Sequence, residues 1–360
     1  MATIPHEKCR AAFLPLFPSD NVLTSPSSTD PDFLPLEREF IGYGNVECTS
    51  PDPAWPGAAG GAKVALSIMV NYNTGAERST ENGDDGGEPF LPDIPIRVKP
   101  VGRRFDMLET RLLRLFEKYN MKATFNVSTQ ALEKAPYYAK VLASSPHELA
   151  CAGKRYIDYM HVAPKQEEKD INEAIETLQM ATGDRTLPHT WCVGRPSNIS
   201  PLLYARAHHE RSLPLYASSD TTSDELPYWT PSPLATVDGL EDKGMLNIPF
   251  TLDTGDHRFV NAGSGWASPK DFYEYLVDTF DCLYEEGENG QAKLMSIQLH
   301  PHVIGHGGRI YYLEKFLQYI REKGDNVWVA RRDEIAQHWA AKFPYSPSAA
   351  FGQTKNPECW

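Results

Sequence analysis

Short apolar runs alternate with amphipathic segments along most of the chain, from about residue 63 to residue 341. The apolar runs have the length of strands, and the amphipathic segments repeat apolar positions with the period of a helix. Because the two kinds of segment follow each other in turn, they predict a parallel sheet covered by helices. The predicted strands cover residues 63–72, 122–127, 148–152, 189–193, 215–219, 246–250, 294–299 and 326–330. The predicted helices cover residues 105–119, 130–144, 165–182, 201–211, 269–286, 309–323 and 332–341.

Seven or eight such strand–helix units predict an α/β fold in which the sheet closes into an irregular (β/α) barrel. In barrels of this kind, functional sites lie at the C-terminal ends of the strands. Polar residues that directly follow a strand are therefore candidates for function, whereas polar residues elsewhere are expected on the solvated surface.

The composition predicts three parts along the chain. Residues 1–62 are rich in Pro, Ser, Asp and Gly and predict an N-terminal extended arm that lies over the body. Residues 63–342 form the barrel domain, and residues 343–360 form an irregular C-terminal tail. A second polar stretch over residues 74–100 predicts a long loop, a feature that is often functional in a compact domain.

The charge balance argues against two classes of partner. With 35 basic and 48 acidic residues the net charge is −13, which disfavours nucleic acid and anionic membranes. The N-terminus lacks the pattern of a signal peptide, and no apolar run reaches the ~18 residues of a membrane helix. We therefore expect a cytoplasmic protein, in which the six scattered cysteines are reduced thiols.

Three basic side chains that follow predicted strands are candidates for chemistry. His300 comes directly after the strand over residues 294–299, and an imidazole pKa near neutrality suits proton transfer. Arg195 could bind a carboxylate or polarise a carbonyl group, and a structural ion pair is the alternative. Lys154 could act as a base or Schiff-base former if burial lowered its pKa, and an exposed lysine is the alternative.

Acidic side chains at the strand ends supply the other candidate catalytic groups. Glu77 is the candidate base, and Asp224 could hold Arg195 or His300 in place, as carboxylates hold catalytic histidines. A buried structural network is expected for Asp253, Asp256 and Arg258.

Several further side chains are candidates for substrate binding. Aromatic residues could line a pocket for a flat or apolar substrate, and core packing is the alternative for them. The predicted substrate-binding residues are Tyr72, Asn73, Lys154, Trp191, Tyr228, Trp229 and His302.

The spacing of His300, His302 and His306 leaves a metal site open as an alternative, although Pro301 and Gly305 favour a turning loop there. No metal ligand and no cofactor are assigned.

Taken in order, the segments at these strand ends resemble the polysaccharide deacetylase superfamily. They are most similar to its metal-independent branch, the cofactor-free allantoinases and cyclic imide hydrolases. The similarity extends from about residue 38 to residue 340, and it implies a distorted (β/α) barrel that hydrolyses a C–N bond in a small cyclic amide. The segments that carry it are residues 40–44, Asn71-Tyr72 with Gly75 and Glu77, Trp191 with Gly194-Arg195, residues 224–229, Asp253 with Asp256 and Arg258-Phe259, Leu299-His300, and Trp328 with His338-Trp339.

The chain departs from that family at the positions of the metal site. Where the resemblance implies two adjacent acids after the first strand, the chain has Asn73 and Thr74. Where it implies two metal-binding histidines, the chain has Ala152 and Tyr156. Each of these positions holds a residue that binds divalent ions poorly or not at all.

Three hypotheses of function follow from these observations. The first is a metal-independent hydrolase of a small cyclic amide or imide, in which His300 transfers the proton and Arg195 or nearby backbone N–H groups stabilise the oxyanion. The second is a lyase, isomerase, cyclase or decarboxylase that acts on a small metabolite in a biosynthetic pathway. The third is a pseudoenzyme that binds a ligand. The resemblance also implies a homo-oligomer, either a dimer or a tetramer.

Overall fold

The computed structural model describes residues 52–87, 106–220, 226–251, 253–260 and 265–346 of the chain. Most of the predicted arm and most of the predicted tail lie outside these ranges, so the domain boundaries stay predictions. None of the helices in the described ranges is long and apolar enough to span a membrane.

The described strands and helices alternate as the hydrophobic pattern predicts. The strands are β1 (Val64–Tyr72), β2 (Thr124–Val127), β3 (Glu148–Cys151), β4 (Thr190–Trp191), β5 (Ala217–Asp220), β6 (Tyr228–Thr230), β7 (Met245–Pro249), β8 (Lys293–Leu299) and β9 (Val327–Val329). The helices are α1 (Asp106–Tyr119), α2 (Thr129–Lys134), α3 (Pro136–Ala143), α4 (Pro164–Thr182), α5 (Ser200–Arg211), α6 (Pro233–Val237), α7 (Pro269–Glu288), α8 (Pro301–Ile304), α9 (Gly307–Glu322) and α10 (Arg332–Lys342).

The strands form one curled sheet in the order β6-β7-β5-β4-β3-β2-β1-β8. Neighbours along this path run parallel, except that β6 and β7 are antiparallel. One edge of β1 pairs with β8, and the other edge is shared between β9, opposite Val64–Leu66, and β2, opposite Met69–Tyr72. This half-barrel confirms the predicted fold class, a distorted (β/α) barrel of the polysaccharide deacetylase type.

Strand β1 is buried on both faces, and its alternate residues have different surroundings. The outward residues pack with helices α1, α7 and α9 in the largest apolar core: Val64, Leu66, Ile68, Val70 and Tyr72. The inward residues, which include Ser67 and Asn71, line the barrel interior. The polar side chains Ser67 and Asn71 of β1 are therefore on the face that lines the barrel interior.

The barrel is not closed by a backbone ladder between β7 and β8 in the described part of the chain. Two side chains bridge this gap instead. Thr254 donates from Oγ1 to the carbonyl oxygen of Ser296 at 2.6 Å, and Ser296 Oγ donates to the carbonyl oxygen of Pro249 at 3.3 Å. We call this gap the seam of the barrel.

The end of the barrel at the strand N-termini is filled by α10 and by residues that precede β1. Trp55 is fully buried against Trp339, with ring centroids 6.1 Å apart. Arg332 sends its buried side chain into the interior, where it donates to Ser219 Oγ at 3.1 Å and to the carbonyl oxygens of Ile248 and Pro249. Within the described residues, this end is therefore packed shut.

A buried carboxylate lies at the same closed end. Glu148 accepts hydrogen bonds from Thr124 Oγ1 at 2.7 Å, from the backbone N–H of Asp333 at 3.0 Å and from Thr190 Oγ1. Burial, together with the charge of Asp333, raises the pKa of Glu148 above its ordinary value.

The prediction of a single helix over residues 130–144 is wrong. The chain forms α2 and α3, with a break at Ala135. Pro136 causes the break because it has no N–H to continue the helical hydrogen bonds and its ring clashes with the preceding turn.

The starts of two helices differ in how they are capped. The N-cap of α5 is Ile199, and no side chain caps this helix. Ser268 caps α7, because its hydroxyl accepts from Lys270 N while Asp271 accepts from Ser268 N.

Two short elements near strand ends were not predicted. Strand β6 adds an antiparallel edge beside β7. Helix α8 begins with Pro301 directly after His300, where Pro is well tolerated because the first helical N–H has no partner within the helix.

Candidate functional site

His300 and Asp256 form a buried pair at the C-terminal ends of two neighbouring strands. His300 follows β8, and Asp256 opens a 3-10 turn (Asp256–Phe259) after β7. The imidazole Nδ1 lies 2.7 Å from Asp256 Oδ1, and the backbone N–H of His300 donates to Asp256 Oδ2 at 2.7 Å. The carboxylate therefore holds the proton on Nδ1 and leaves Nε2 as the proton acceptor.

The contacts of Asn71, a residue of β1, support the same position of the proton on the His300 ring. Its Nδ2 lies 3.3 Å from His300 Nε2, and its Oδ1 accepts a hydrogen bond from Asn126 Nδ2 at 3.0 Å. Because Asn126 occupies the amide oxygen, the atom beside His300 is the amide N–H donor. Asn126 is itself fixed by a second bond, from Nδ2 to the carbonyl oxygen of Cys192 at 2.9 Å.

Asn73 lies two residues beyond Asn71 and is 1% exposed. Its Oδ1 accepts a hydrogen bond from Ser128 Oγ at 3.0 Å. Its Nδ2 is buried and has no hydrogen-bond partner in the described ranges. The carboxamide therefore presents a donor where the family resemblance implies an acid.

Glu77, the predicted base, is buried in the loop after β1. One of its carboxylate oxygens accepts the backbone N–H of Gly75 at 2.6 Å. Gly75 has a φ of 85°, which glycine adopts at little cost. The backbone of Glu77 forms a parallel bridge with Tyr156, and its carbonyl oxygen accepts from Arg155. These contacts tie the loop after β1 to the loop after β3.

Arg195 lies beside the loop after β3. Its guanidinium carbon is 4.6 Å from the centroid of the Tyr156 ring, a cation–π contact. The ring fits there because residue 194 is glycine: a Cβ at Gly194 would lie 2.8 Å from Tyr156 Cε2.

The pKa of Lys154 is not lowered overall, so the condition for its acting as a base or Schiff-base former is not met. Lys154 forms an ion pair with Glu173 of α4, and this hydrogen bond raises the pKa of the ammonium group. Lys154 is therefore a charged side chain rather than a base or Schiff-base former.

The structure places Trp191 and Tyr72, two of the predicted substrate-binding residues, in apolar clusters. Trp191 faces outward, where it stacks on Tyr204 of α5 at 5.0 Å and donates from Nε1 to His208 Nε2 at 2.8 Å. Tyr72 is on the outward face of β1 and belongs to the core beneath the helices. Both rings therefore contribute to packing.

Tyr228 and Trp229 lie on the edge strand β6. Trp229 donates from Nε1 to the carbonyl oxygen of Phe343 at 2.7 Å and packs on Tyr345. It also lines a largely apolar cavity of about 480 Å³ between α5, β7 and α10. None of the residues lining this cavity belongs to the group around His300.

His302 lies near the pair, with its ring centroid 5.7 Å from that of His300. Burial, together with the charges of His300, His306 and Arg309, lowers its pKa to about 3, so the ring is neutral at ordinary pH. Its Nε2 is buried without a hydrogen-bond partner in the described ranges, whereas His306 is exposed.

Within the residues that the structure describes, no group of three or more His, Cys, Asp or Glu side chains could hold a metal ion. Asp224 lies outside these residues, so its predicted role stays a prediction.

Sequence reasoning missed the pairing of Asp256 with His300 and placed Asp256 in a network with Asp253 and Arg258. In the structure Asp253 accepts from Tyr275 instead, and Arg258 donates to the carbonyl oxygen of Asp253 at 3.2 Å. Sequence reasoning also missed Asn71 as a site residue, and its place near the end of β1, on the face opposite Tyr72, is the signal that could have found it.

Known proteins resemble this chain over most of its length. The family model described as "Polysaccharide deacetylase" matches residues 100–209. A Schizosaccharomyces pombe protein named as a candidate polysaccharide deacetylase is 36% identical over 304 residues, which are 81% of this chain and 93% of that protein.

Two solved structures also match. The crystal structure of PuuE allantoinase has 34% sequence identity and a TM-score of 0.72, and the match covers 87% of this chain and 100% of that one. A Pseudomonas aeruginosa PAO1 structure described as a candidate polysaccharide deacetylase has 36% identity and a TM-score of 0.72, with 86% and 100% covered.

Proposed function

This chain belongs to the polysaccharide deacetylase family, and on that premise we propose that it is a metal-independent hydrolase of a small cyclic amide or imide. The members of this family are hydrolases, and membership alone supports that broad assignment. The narrower assignment, to a metal-independent hydrolase of a cyclic amide or imide, rests on the Asp256–His300 pair, in which Nδ1 is held by a carboxylate and Nε2 is the acceptor nitrogen.

The proposed reaction needs one group that first accepts and then donates a proton. In the proposed reaction, water takes the place of Asn71 Nδ2 at the single lone pair of His300 Nε2, and Nε2 accepts a proton from it as the water oxygen attacks the carbonyl carbon. Asp256 stabilises the imidazolium that forms. The imidazolium then gives its proton to the ring nitrogen as the C–N bond breaks. A cyclic amide yields a carboxylic acid and an amine in one opened product, whereas an imide or cyclic ureide yields a carboxylic acid and an amide or urea group.

The residues at the family's metal positions do not fit a divalent ion. Asn73 offers an amide oxygen that already accepts a hydrogen bond from Ser128, Ala152 offers a methyl group, and Tyr156 offers a phenol next to Arg195. Such groups are poor ligands compared with the carboxylates and imidazoles that these ions prefer. We therefore assign no step of the reaction to a metal.

A small ring is the proposed substrate because of the similarity to a structure named as an allantoinase, since allantoin is a cyclic ureide. Three further residues keep the roles that the sequence predicts. Glu77 is a candidate base, Arg195 binds the substrate or stabilises the oxyanion, and Asp224 holds Arg195 or His300 in place. No observation favours the lyase or isomerase alternatives.

The test is ring opening by the full chain after dialysis against a chelator, with metal content measured by elemental analysis. We would follow hydantoin, succinimide, glutarimide and allantoin by proton NMR. At least one compound should open at a rate that the chelator does not change, and H300N should lower kcat by about 10²–10⁴-fold.

The matched control is H306N, because His306 is exposed and should not affect turnover. Turnover that disappears with the chelator and returns with zinc would show the metal-independent reaction to be wrong. Turnover that persists in H300N would remove His300 from the chemistry, and binding without turnover would favour a pseudoenzyme.

A further inference from the structure

Asn73 is held in a fixed position at the C-terminal end of β1. It is the first residue after this strand and comes two residues after Asn71, which contacts His300 Nε2. The parallel register pairs Tyr72 with Val127, and the bond from Ser128 Oγ to Asn73 Oδ1 continues this register by one residue. Asn73 therefore lies one residue beyond the β1–β2 ladder, beside the residue that follows β2.

The Asn73 carboxamide is placed with its oxygen toward Ser128. Because Ser128 Oγ donates to Oδ1, the other end of the amide is the N–H₂ donor. This Nδ2 is buried and has no hydrogen-bond partner in the described ranges. Leaving a buried donor unpaired costs about 1–3 kcal/mol, so such a group usually has a ligand or an ordered water as its partner.

We propose that Asn73 Nδ2 donates a hydrogen bond to the carbonyl oxygen of the scissile amide and stabilises the oxyanion that forms there. This assignment rests on the proposed function, because it needs a carbonyl group that is attacked by water bound at His300. It makes Asn73 a catalytic residue of a different kind from the acid that the family resemblance implies at this position.

The spacing along β1 is suitable for this role. Residues two apart on one face of a strand are separated by about 6.6–6.8 Å. A water about 2.6–3.2 Å from Nε2 and an oxyanion about 2.7–3.1 Å from Nδ2 leave room for the carbonyl carbon between them. Asn71 precedes Asn73 by two residues and contacts His300 at Nε2, the ring atom proposed to accept the proton.

A donor of this type acts mainly on kcat, because the bond strengthens as negative charge develops on the oxygen. We expect N73A to lower kcat by about 10²–10³-fold with a much smaller change in KM. S128A should have an intermediate effect, because it frees the carboxamide to rotate without removing the donor.

The decisive variant is N73D, which has nearly the same shape as the native side chain. At neutral pH its carboxylate would repel the oxyanion, whereas its protonated form would restore a donor. Its activity should therefore rise relative to the native protein as pH falls toward the ordinary Asp pKa of about 3.9. A purely structural role for Asn73 would not produce this shift in the pH profile.

The matched control is N247A. Asn247 is also 1% exposed, but its Nδ2 bonds to Thr230 and Met245. It should lower stability without changing kcat at a temperature where the variant is folded. If N73D is more active than the native protein at neutral pH, or if N73A matches N247A in kcat, the assignment is overturned.

A binding measurement separates this assignment from the proposed function. The side-chain amide resonances of Asn73, identified by their loss in N73A, would be followed in ¹⁵N-labelled protein during addition of hydantoin. Shifts of both the Asn73 amide and the His300 ring are expected. A shift of the His300 ring alone would overturn the role of Asn73 and leave the proposed function standing, whereas no shift of either would remove both.

Discussion

Asp256 binds His300 through both of its carboxylate oxygens, one to the ring Nδ1 and one to the backbone N–H, at 2.7 Å each. The backbone bond fixes where the chain leaves β8, and the ring bond fixes how the imidazole is turned. Since Asp256 is fully buried, it adds no second exposed acid to the site and acts through His300.

Replacing Asp256 by Asn should disable the pair while preserving its shape. An Asn side chain has only one acceptor oxygen, so it cannot accept both the backbone N–H and the Nδ1 proton. We expect kcat for ring opening to fall by about 10²–10⁴-fold with little change in KM. D253N is the control, because Asp253 accepts from Tyr275 instead. An unchanged kcat in D256N would show that the carboxylate does not support the chemistry.

Acid should destabilise the fold through His208. Its Nε2 accepts from Trp191 and its Nδ1 lies 3.1 Å from the carbonyl oxygen of Pro214, and burial lowers its pKa to about 4 from an ordinary 6.5. Between these two values the unfolded chain binds a proton that the folded chain excludes, so stability falls as pH falls from about 6.5 to about 4.

The variant H208Q should reduce this dependence by up to about 1.4 kcal/mol per pH unit in the free energy of unfolding. Glutamine can still accept from Trp191 and donate to Pro214. Urea unfolding at pH 7, 6 and 5 would measure the slope, with the exposed His161 replaced in H161Q as the control. Equal slopes in H208Q and the native protein would contradict the prediction.

The contribution of Glu148 to stability should change with pH in the opposite direction to that of His208. Burial and the charge of Asp333 raise its pKa above the ordinary 4.5, so the folded state holds the proton more tightly than the unfolded state. This contribution to stability is complete below about pH 4.5 and is lost as pH rises through the folded pKa.

The variant E148Q lacks that titration. Its Tm relative to the native protein should therefore rise steadily when calorimetry is repeated from pH 5 to pH 8. The loss of one acceptor for Thr124, Thr190 or Asp333 should lower Tm by an amount that does not depend on pH. A Tm difference that stays constant with pH would mean that Glu148 is already ionised at pH 5.

The capping box of α7 should contribute measurably to stability. Removing the Ser268 hydroxyl leaves the Lys270 N–H without its acceptor, and S268A should lower the free energy of unfolding by about 1 kcal/mol. D271A removes the reciprocal bond, and D278A, at an exposed position on the same helix, is its control. If D271A and D278A cost the same in chemical denaturation, the reciprocal bond contributes nothing.

Much of the fold could be predicted because hydrophobic period is a local property. The long strands β1 and β8 are continuous buried runs that are recognised by their length, and the helices α4 and α7 contain enough residues to display the helical period. The direction of Trp191 could not be read in this way, since β4 has only two residues and shows no alternation.

The site could be predicted only in part, because its contacts join residues that are far apart in sequence. His300 is found from its position after a buried strand. Its carboxylate partner, Asp256, comes from a separate turn, and any of several nearby acids has the same chemistry. Lys154, which follows β3, likewise forms an ion pair with Glu173 of α4, and no pattern along the chain selects that partner.

The Asp256–His300 pair also connects the two sides of the seam between β7 and β8. Asp256 follows the strand on one side of that gap and His300 follows the strand on the other, so their two hydrogen bonds cross it beside the bridges of Thr254 and Ser296. A widening of the gap would pull the carboxylate away from the imidazole. The pair proposed to transfer protons therefore also joins the two edges of an incomplete barrel, and the proposed activity should depend on those edges staying together.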